Sequence, residues 1–277
     1  MRISRIDGRY RLVSGDTAAD IAEASGGAFA PDGFDVYERW AELAAWAPSV
    51  PASAYRPFDP ARLDAPVALP RQVFAIGLNY RDHAAEANLA EPEEPLVFTK
   101  FPTCVTGPVA AIDLPSDHVD WEVELVVVIG ARAHRVAAAD AWAHVAGLTV
   151  GQDLSERVVQ LAGPAPQFGF GKSFPGFGPI GPAVVTPDEL GDPANLAIEC
   201  ALGDEVLQKG TTADLIFPVP ELIARLSAVC PLLPGDLVFT GTPAGVGGSR
   251  KPPRFLPRGA TLVSRIEGIG ELRNALR

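Results

Sequence analysis

The chain is short of positive charge and of long apolar runs. Its 277 residues include 34 acidic and only 23 basic side chains, which gives a formal charge of −11. An excess of negative charge disfavours proteins that bind nucleic acid through its phosphates, and proteins that dock on anionic membranes. The longest strongly apolar run, residues 125–129, is far too short for a membrane-spanning helix. The sequence therefore predicts neither a nucleic-acid partner nor a membrane partner.

Cysteines are too few and too scattered for a disulfide framework. Cys104, Cys200 and Cys230 are an odd number, and no CxxC pair is present. Such cysteines are expected as small buried apolar side chains in a reducing compartment. Residues 1–5 lead into no apolar segment of the kind that a signal peptide needs. We therefore expect a soluble, cytoplasmic protein.

Glycine and proline are abundant, at 27 residues each, which predicts many turns and short strands. The pair Asp7-Gly8 predicts a β-hairpin near the N-terminus, because a tight turn needs residues that tolerate positive φ. A helix is predicted over 36–46, and six prolines then follow within residues 48–70. We interpret residues 1–69 as a small N-terminal α/β domain with a proline-rich linker, and residues 70–277 as the main domain.

The main domain is predicted to be rich in strands. Apolar segments at 73–76, 119–129 and 237–240 have the length and β-branched composition of strands. Helical spacing is found only at 137–146 and 221–229. The expected fold class is therefore α+β with a mixed, β-rich main domain.

An acidic strand is the strongest chemical signal. Side chains two apart share one face of a strand, so Asp120, Glu122 and Glu124 point one way. Two or three carboxylates on a strand that continues into a buried run need a compensating charge, and a hard divalent cation would supply it. The alternative is a solvated edge strand with its acidic residues in water. Asp153, at the end of a second short strand, is either a helix N-cap or a third oxygen ligand.

Three further segments carry candidate site residues. In a helix that Asn79 could cap, His83 and Glu86 would be neighbours, either as a general base with its orienting carboxylate or as a surface pair. Arg157 and Gln160 would follow Asp153 on the same helix face. Lys172 lies in a loop rich in glycine and aromatic residues, where it could meet an anion.

Taken in order, these segments resemble the fumarylacetoacetate hydrolase family. The resemblance covers about residues 70–277, and its matching segments are 77–83, the strand with Glu122 and Glu124, 151–157, 171–174, 235–247 and 266–274. It implies a β-roll catalytic domain that is usually dimeric, and a Mg²⁺ ion, or Mn²⁺ or Ca²⁺, bound through Glu122, Glu124 and Asp153. It further implies a base at His83 and Glu86, and a substrate site at Arg157, Gln160, Lys172 and Thr242.

The expected activity is hydrolysis of a carbon–carbon bond in a 1,3-dicarbonyl keto acid of the acylpyruvate type, through a metal-stabilised enolate. Decarboxylation of a β-keto acid such as oxaloacetate, or a keto-acid isomerase or lyase reaction, is the alternative on the same scaffold. Pro175-Gly176 stands where the family commonly has Asp-Thr. We expect this loop to influence specificity, with Phe174 and Phe177 as apolar walls of the substrate site.

Two hypotheses from other classes remain. His118 and Asp120 form a His-x-Asp pair of the kind found in non-haem iron oxygenases, with His134 or His144 as the distal ligand. The second hypothesis is a binding protein that keeps the fold but has no turnover. Candidate residues at all three carboxylate positions and at the His83–Glu86 pair speak against it.

Overall fold

A computed structural model of the chain describes residues 1–86 and 88–277. The strands in chain order are β1 (Arg2–Ile6), β2 (Arg9–Ser14), β3 (Thr17–Asp20), β4 (Arg56–Pro57), β5 (Leu63–Asp64), β6 (Val73–Gly77), β7 (Leu96–Thr99), β8 (Val105–Thr106), β9 (Val119–Asp120), β10 (Val123–Ile129), β11 (Val145–Gln152), β12 (Ser155–Glu156), β13 (Gly178–Val185), β14 (Ala197–Leu202), β15 (Glu205–Thr211), β16 (Leu237–Phe239), β17 (Thr261–Ile266) and β18 (Gly270–Ala275). The α-helices are α1 (Ile21–Ala24), α2 (Asp35–Glu38), α3 (Trp40–Trp46), α4 (Arg81–Glu86), α5 (Arg157–Gln160), α6 (Phe168–Gly171) and α7 (Val219–Val229). Strands dominate, and the prediction of a β-rich α+β fold is confirmed.

The largest sheet is built around two long neighbours, β10 and β11. They pair antiparallel, with Glu124 opposite Gly151, and the sheet runs in the order β4-β3-β2-β1-β13-β11-β10-β16-β6-β7. Every residue of β10 and of β11 is buried. Central strands that are covered on both faces carry continuous apolar runs instead of alternation, which accounts for residues 125–129.

Alternate residues of β10 enter two different hydrophobic cores. Leu125 and Val127 belong to a core that includes residues of α7 and of a four-stranded sheet, β15-β14-β17-β18. Val126 and Val128 belong to a second core, shared with β1, β2 and the N-terminal helices. The β10–β11 pair is therefore packed on both faces, and its ends supply site residues.

The predicted N-terminal hairpin is confirmed. β1 and β2 pair antiparallel, and the turn residues Asp7 and Gly8 have φ angles of 51° and 76°. β1 also pairs with β13, so the first strands extend the main sheet and contribute to one of its cores. The division of the chain at residue 69 stays a prediction. The helix predicted over 36–46 is present as two short helices, α2 and α3.

Other elements differ in part from the sequence prediction. The strand predicted over 119–129 is interrupted between β9 and β10, at Trp121 and Glu122. The segment predicted as a helix over 137–146 contains a 3₁₀-helix, Ala138–His144, followed by β11. The helix predicted over 221–229 is confirmed as α7, which begins two residues earlier. In the described part of the chain, no helix combines the length and apolar character required to cross a membrane.

Candidate active site

The interruption between β9 and β10 places two carboxylates at a split in the strand ladder. β9 pairs with β12 and β10 pairs with β11 in one continuous antiparallel register, and Glu122 and Asp153 face each other in the gap between the two pairs. The Asp153 N–H donates to the Glu122 carbonyl at 2.9 Å. The side-chain amide oxygen of Gln152 accepts from the Glu122 N–H, and that of Gln208 accepts from the Val123 N–H. These bonds hold the main chain in place across the split.

Three carboxylates converge at this split. One oxygen from each of Glu122, Glu124 and Asp153 lies within 4.8 Å of the others, and we call these residues the carboxylate cluster. Their exposed fractions are 8%, 1% and 0%. A solvated edge strand is therefore excluded, because the acidic residues are buried. The Glu124 carboxylate also accepts from the Gly241 N–H at 2.7 Å.

Two lysines contact the cluster. The Lys172 ammonium donates to Glu122, to Asp153 and to the Ser155 hydroxyl, at 2.7–2.8 Å. The Lys100 ammonium, which is fully buried, donates to the other Asp153 oxygen at 2.6 Å and to the Lys172 carbonyl. The chain has only four lysines, and two of them are buried here. Lys100 was missed at the sequence level, although a lysine directly after the apolar strand β7 is an available signal.

Burial and charge shift the protonation of the cluster in opposite directions. Burial alone would raise the pKa of Glu122, but the Lys172 and Arg157 charges outweigh it and lower that pKa to about 2. Burial, followed by the charges of Asp153 and Glu122, raises the pKa of Glu124 well above its ordinary value. Glu124 is therefore the carboxylate whose charge the protein compensates least.

The donor set fits a hard divalent cation. The three carboxylates of the cluster and that of Asp120 lie beside the charges of Lys100, Lys172 and Arg157, so one negative charge is left over among the described side chains. Carboxylate oxygens are the ligands that Mg²⁺, Mn²⁺ and Ca²⁺ prefer. Within the described residues this is the one group of three or more carboxylate, histidine or cysteine side chains close enough to hold an ion.

Asp120, which was predicted to share a face with Glu122 and Glu124, does not join the cluster. Its side chain pairs instead with Arg157, whose Nε and Nη2 donate to Asp120 at 2.8 and 2.6 Å. Arg157 Nη2 also lies 2.8 Å from Glu122, and Nη1 donates to Gln160. Asp153 caps no helix, since Glu156 is the N-cap of α5.

His83 and Glu86 lie on α4, beside the cluster. The His83 Nδ1 is 3.3 Å from a Glu86 oxygen, and the Glu86 carboxylate also accepts from the Gly245 N–H. This arrangement leaves the Nε2 side of His83 for the cavity that it lines. Asn79 caps no helix as predicted, because its side chain is buried and bonds to the main chain of Phe217 and Thr240.

A cavity of about 500 Å³ opens above the cluster. Its polar lining includes every candidate side chain except Glu86 and Asp153, whereas its walls are mostly apolar. The apolar lining consists of Ile76, Leu78, Leu89, Leu96, Phe98, Leu161, Phe168, Val246, Pro253 and Phe255. The expectation that Phe174 and Phe177 form these walls was wrong. Phe177 is fully buried in a core, and Phe174 packs against it there.

Thr242 and Gln160 both line the cavity, but they differ in the hydrogen-bond donors that they have available for a ligand. The Thr242 hydroxyl donates to the Val123 carbonyl and accepts from Gln208, so its one donor is already used. The Gln160 oxygen is bonded to Arg157, and its amide NH₂ has no partner among the described residues. Of the two, Gln160 is therefore the better placed to donate to a bound molecule.

The sequence and the fold match one family of known proteins. Residues 72–277 match the model for the C-terminal domain of fumarylacetoacetate hydrolase. The chain belongs to the fumarylacetoacetate hydrolase family. The resemblance found in the sequence, and the β-roll fold that it implied, are thereby confirmed, and the protein is an enzyme of that family.

Relatives with different activities share this scaffold. The mitochondrial oxaloacetate tautomerase FAHD2A of Bos taurus is 47% identical over 212 residues, which are 76% of this chain and 68% of that protein. A solved fumarylacetoacetate hydrolase from Exiguobacterium antarcticum has a TM-score of 0.88 at 31% identity, with 100% of this chain and 99% of that chain covered. Maleylpyruvate hydrolase from Sphingobium sp. SYK-6, solved with manganese(II) and pyruvate, has a TM-score of 0.78 at 29% identity, with 100% and 98% covered.

The iron-oxygenase hypothesis has no support in the geometry. Asp120 is engaged by Arg157, and the His118 ring packs edge-on against Phe255, with the ring centres 5.2 Å apart. Neither belongs to the ion-binding group described above.

Proposed function

We propose that the protein is a divalent-metal-dependent enzyme that interconverts the keto and enol forms of an oxaloacetate-type 2-keto diacid. One observation carries the proposal: His83, Arg157 and Lys172 line the same cavity as Glu122 and Glu124. A proton-transfer group, two cationic side chains and a candidate ion site would therefore face one molecule bound in this cavity. The 47% identity to an oxaloacetate tautomerase supports the same reaction.

The carboxylate cluster would hold the cation, for which we propose Mg²⁺. When bound, the cation supplies a Lewis acid that polarises a keto oxygen. Lys172 places a second positive charge on the same side of the cavity, where it favours binding of the substrate carboxylate. Arg157 and the Gln160 amide would orient the far end of the diacid.

His83 would move the proton. Glu86 accepts from Nδ1–H, which fixes the ring and leaves Nε2 as the base. Nε2 would take a proton from the carbon next to the keto group, and the resulting imidazolium would return a proton to the keto oxygen, which gives the enol and restores neutral His83. No carbon–carbon bond breaks, so the cavity needs no attacking water for this reaction.

The test is a tautomerisation assay in which enol-oxaloacetate is supplied and its ultraviolet absorbance is followed, with and without Mg²⁺ or Mn²⁺. We expect metal-dependent acceleration with no change in the total amount of oxaloacetate. The same samples are analysed for pyruvate, since decarboxylation would produce it. Acceleration that persists after complete chelation, or none at all above the buffer rate, would contradict the proposal.

The cavity itself favours a second candidate. A volume of about 500 Å³ with mostly apolar walls exceeds what a four-carbon diacid fills. It would accept an acylpyruvate with an apolar arm, and hydrolysis of such a compound needs the same base to activate a water. Release of pyruvate and the matching carboxylic acid from an acylpyruvate series, faster for longer arms, would establish hydrolysis over tautomerisation.

We further propose that the protein is a cytoplasmic homodimer. Size-exclusion chromatography with light scattering would test the assembly, and a mass matching a single chain would contradict it.

A further inference from the structure

Asp120 is a carboxylate that the proposed reaction does not use. It is fully buried, and its oxygens accept from the N–H groups of Trp121, Gly247 and Gly248 in addition to two nitrogens of Arg157. These bonds measure 2.6–2.8 Å. Five hydrogen bonds fix the position of this buried carboxylate, and the carboxylate in turn fixes the position of the Arg157 guanidinium that it binds.

The donors of Arg157 can be assigned individually. A guanidinium has five N–H groups. Nε and one Nη2 hydrogen point to Asp120, a second Nη2 contact reaches Glu122, and Nη1 donates to Gln160. Among the described residues, one N–H on Nη1 has no acceptor. Arg157 and Gln160 both line the cavity, so this last donor is the one available to a ligand.

We propose that Asp120 is a positioning residue that orients Arg157 for the substrate. It occupies the Nε–Nη2 edge of the guanidinium, which excludes that edge from bidentate binding and leaves a single Nη1–H for the far carboxylate of the keto acid. The inference rests on the proposed function for the identity of the ligand. It adds a determinant of substrate orientation outside the cavity lining.

The same carboxylate connects Arg157 to the cavity rim. Gly247 and Gly248 approach so closely that a Cβ on Gly247 would lie 2.7 Å from an Asp120 oxygen. Gly248 and Ser249 line the cavity next to Arg157. Asp120 therefore fixes the distance between the guanidinium and the glycine segment, which no residue of the carboxylate cluster does.

The test is a double-mutant cycle with D120N, R157Q and the D120N/R157Q protein. We expect D120N to raise KM at least about tenfold, the effect of losing one charge-assisted contact, with a smaller change in kcat. In the R157Q background the same substitution should change KM by less than about twofold, because Asp120 acts through Arg157. Effects that multiply in the double variant would overturn the proposal, as would an unchanged KM in D120N.

Binding measurements separate this proposal from the proposed function. Calorimetric affinities for Mn²⁺ alone, and for L-malate added to the Mn²⁺-loaded protein, need no turnover, and malate keeps both carboxylates of a four-carbon diacid. We expect D120N to keep the Mn²⁺ affinity of the parent and to lose malate affinity. Absence of tautomerase activity in the parent would remove the proposed function, whereas equal malate affinity in parent and D120N would remove the role of Asp120.

Two further variants exclude a purely structural role. D117N changes an exposed aspartate near β9 that pairs with Arg258, and it should leave KM and malate affinity unchanged. R157K keeps the charge but lacks the planar fork that Asp120 holds. We expect R157K to resemble R157Q in KM, and this comparison remains available if D120N does not fold. A lysine that serves as well as arginine would show that orientation by Asp120 is irrelevant.

Discussion

The floor and the flank of the cavity are built in different ways. The floor is the carboxylate cluster, whose residues come from the paired central strands β10 and β11 or directly adjoin them. The flank is α4, where the side chains of His83 and Glu86 are 15% and 24% exposed. Glu86 connects α4 to the Gly245 N–H, and Asp82 connects it to the Ala244 N–H.

This difference indicates that the floor serves binding and the flank serves proton transfer. Ion and anion binding need several charges at fixed separations, which a fully buried strand pair provides. A proton-transfer group must only reach the substrate, so a short helix at the cavity wall is sufficient. Changes in the floor should therefore affect binding and stability, whereas changes in the flank should affect the rate alone.

Glu124→Gln should have the largest effect of the variants on the floor. It keeps an acceptor for the Gly241 N–H but removes the carboxylate that is least compensated. We expect Mn²⁺ affinity to fall at least about 100-fold, because a charged ligand is lost. The melting temperature without metal should stay equal or rise, since like charges no longer crowd the cluster.

Calorimetry and thermal unfolding with and without Mn²⁺ check this prediction. The parent should be stabilised by about 2.7 kcal/mol when free ion exceeds its Kd a hundredfold, and the variant should not be. A variant that still responds to Mn²⁺ like the parent would place the ion site elsewhere.

His83→Ala should show the opposite pattern on the flank. We expect kcat to fall by about 10²–10⁴, the range for loss of a general base, with Mn²⁺ affinity unchanged. Glu86→Gln, which keeps the ring contact but weakens it, should lose less. Steady-state kinetics and calorimetry on the same samples separate the two effects. Normal turnover in His83→Ala would remove this residue from the mechanism.

Lys100→Met tests whether the buried lysine stabilises the floor. Removing one partner of a buried ion pair leaves the Asp153 charge without one of its two ammonium partners, so we expect a loss of about 3–5 kcal/mol in unfolding free energy. Lys209→Met, at an exposed lysine of β15, is the matched control and should change stability by less than about 0.5 kcal/mol. Urea unfolding of the parent and of both variants gives the two changes in unfolding free energy. If Lys100→Met were as stable as the parent, Lys100 would not be needed to stabilise the floor.

Pro175→Asp should have the smallest effect. The sequence predicted that exchange of Pro175-Gly176 for Asp-Thr shifts specificity, yet neither residue lines the cavity and Pro175 is exposed. We therefore expect changes in kcat/KM below about 0.5 kcal/mol for every keto acid tested. The single substitution is preferable, because Gly176 has a φ of 83° that would strain a threonine. A shift of more than tenfold between substrates would restore the loop as a specificity determinant.

Sequence patterns predicted the helices, strands and turns better than the contacts between them. The Asp7-Gly8 turn, β6, β16 and α7 follow from local turn chemistry and periodicity, which act over a few residues. The same periodicity predicted that Glu122 and Glu124 share a face, and the structure brings both to Asp153. It did not predict that Asp120 pairs with Arg157 and stays outside the cluster, because that contact joins residues 37 apart that no local pattern records.

The sequence by itself determined the chemical types: the carboxylates, the His83–Glu86 spacing on one helix face, and the family. Only the tertiary structure decided which charges meet. Lys100 and Lys172 are 72 residues apart, yet both reach Asp153, and Arg157 takes Asp120 as its partner across 37 residues. The cavity walls likewise come from β7, α6 and the segment after β16. The reason is physical: local propensity acts over a few residues, whereas burial of a charge is tolerated only where distant strands bring an opposite charge to it.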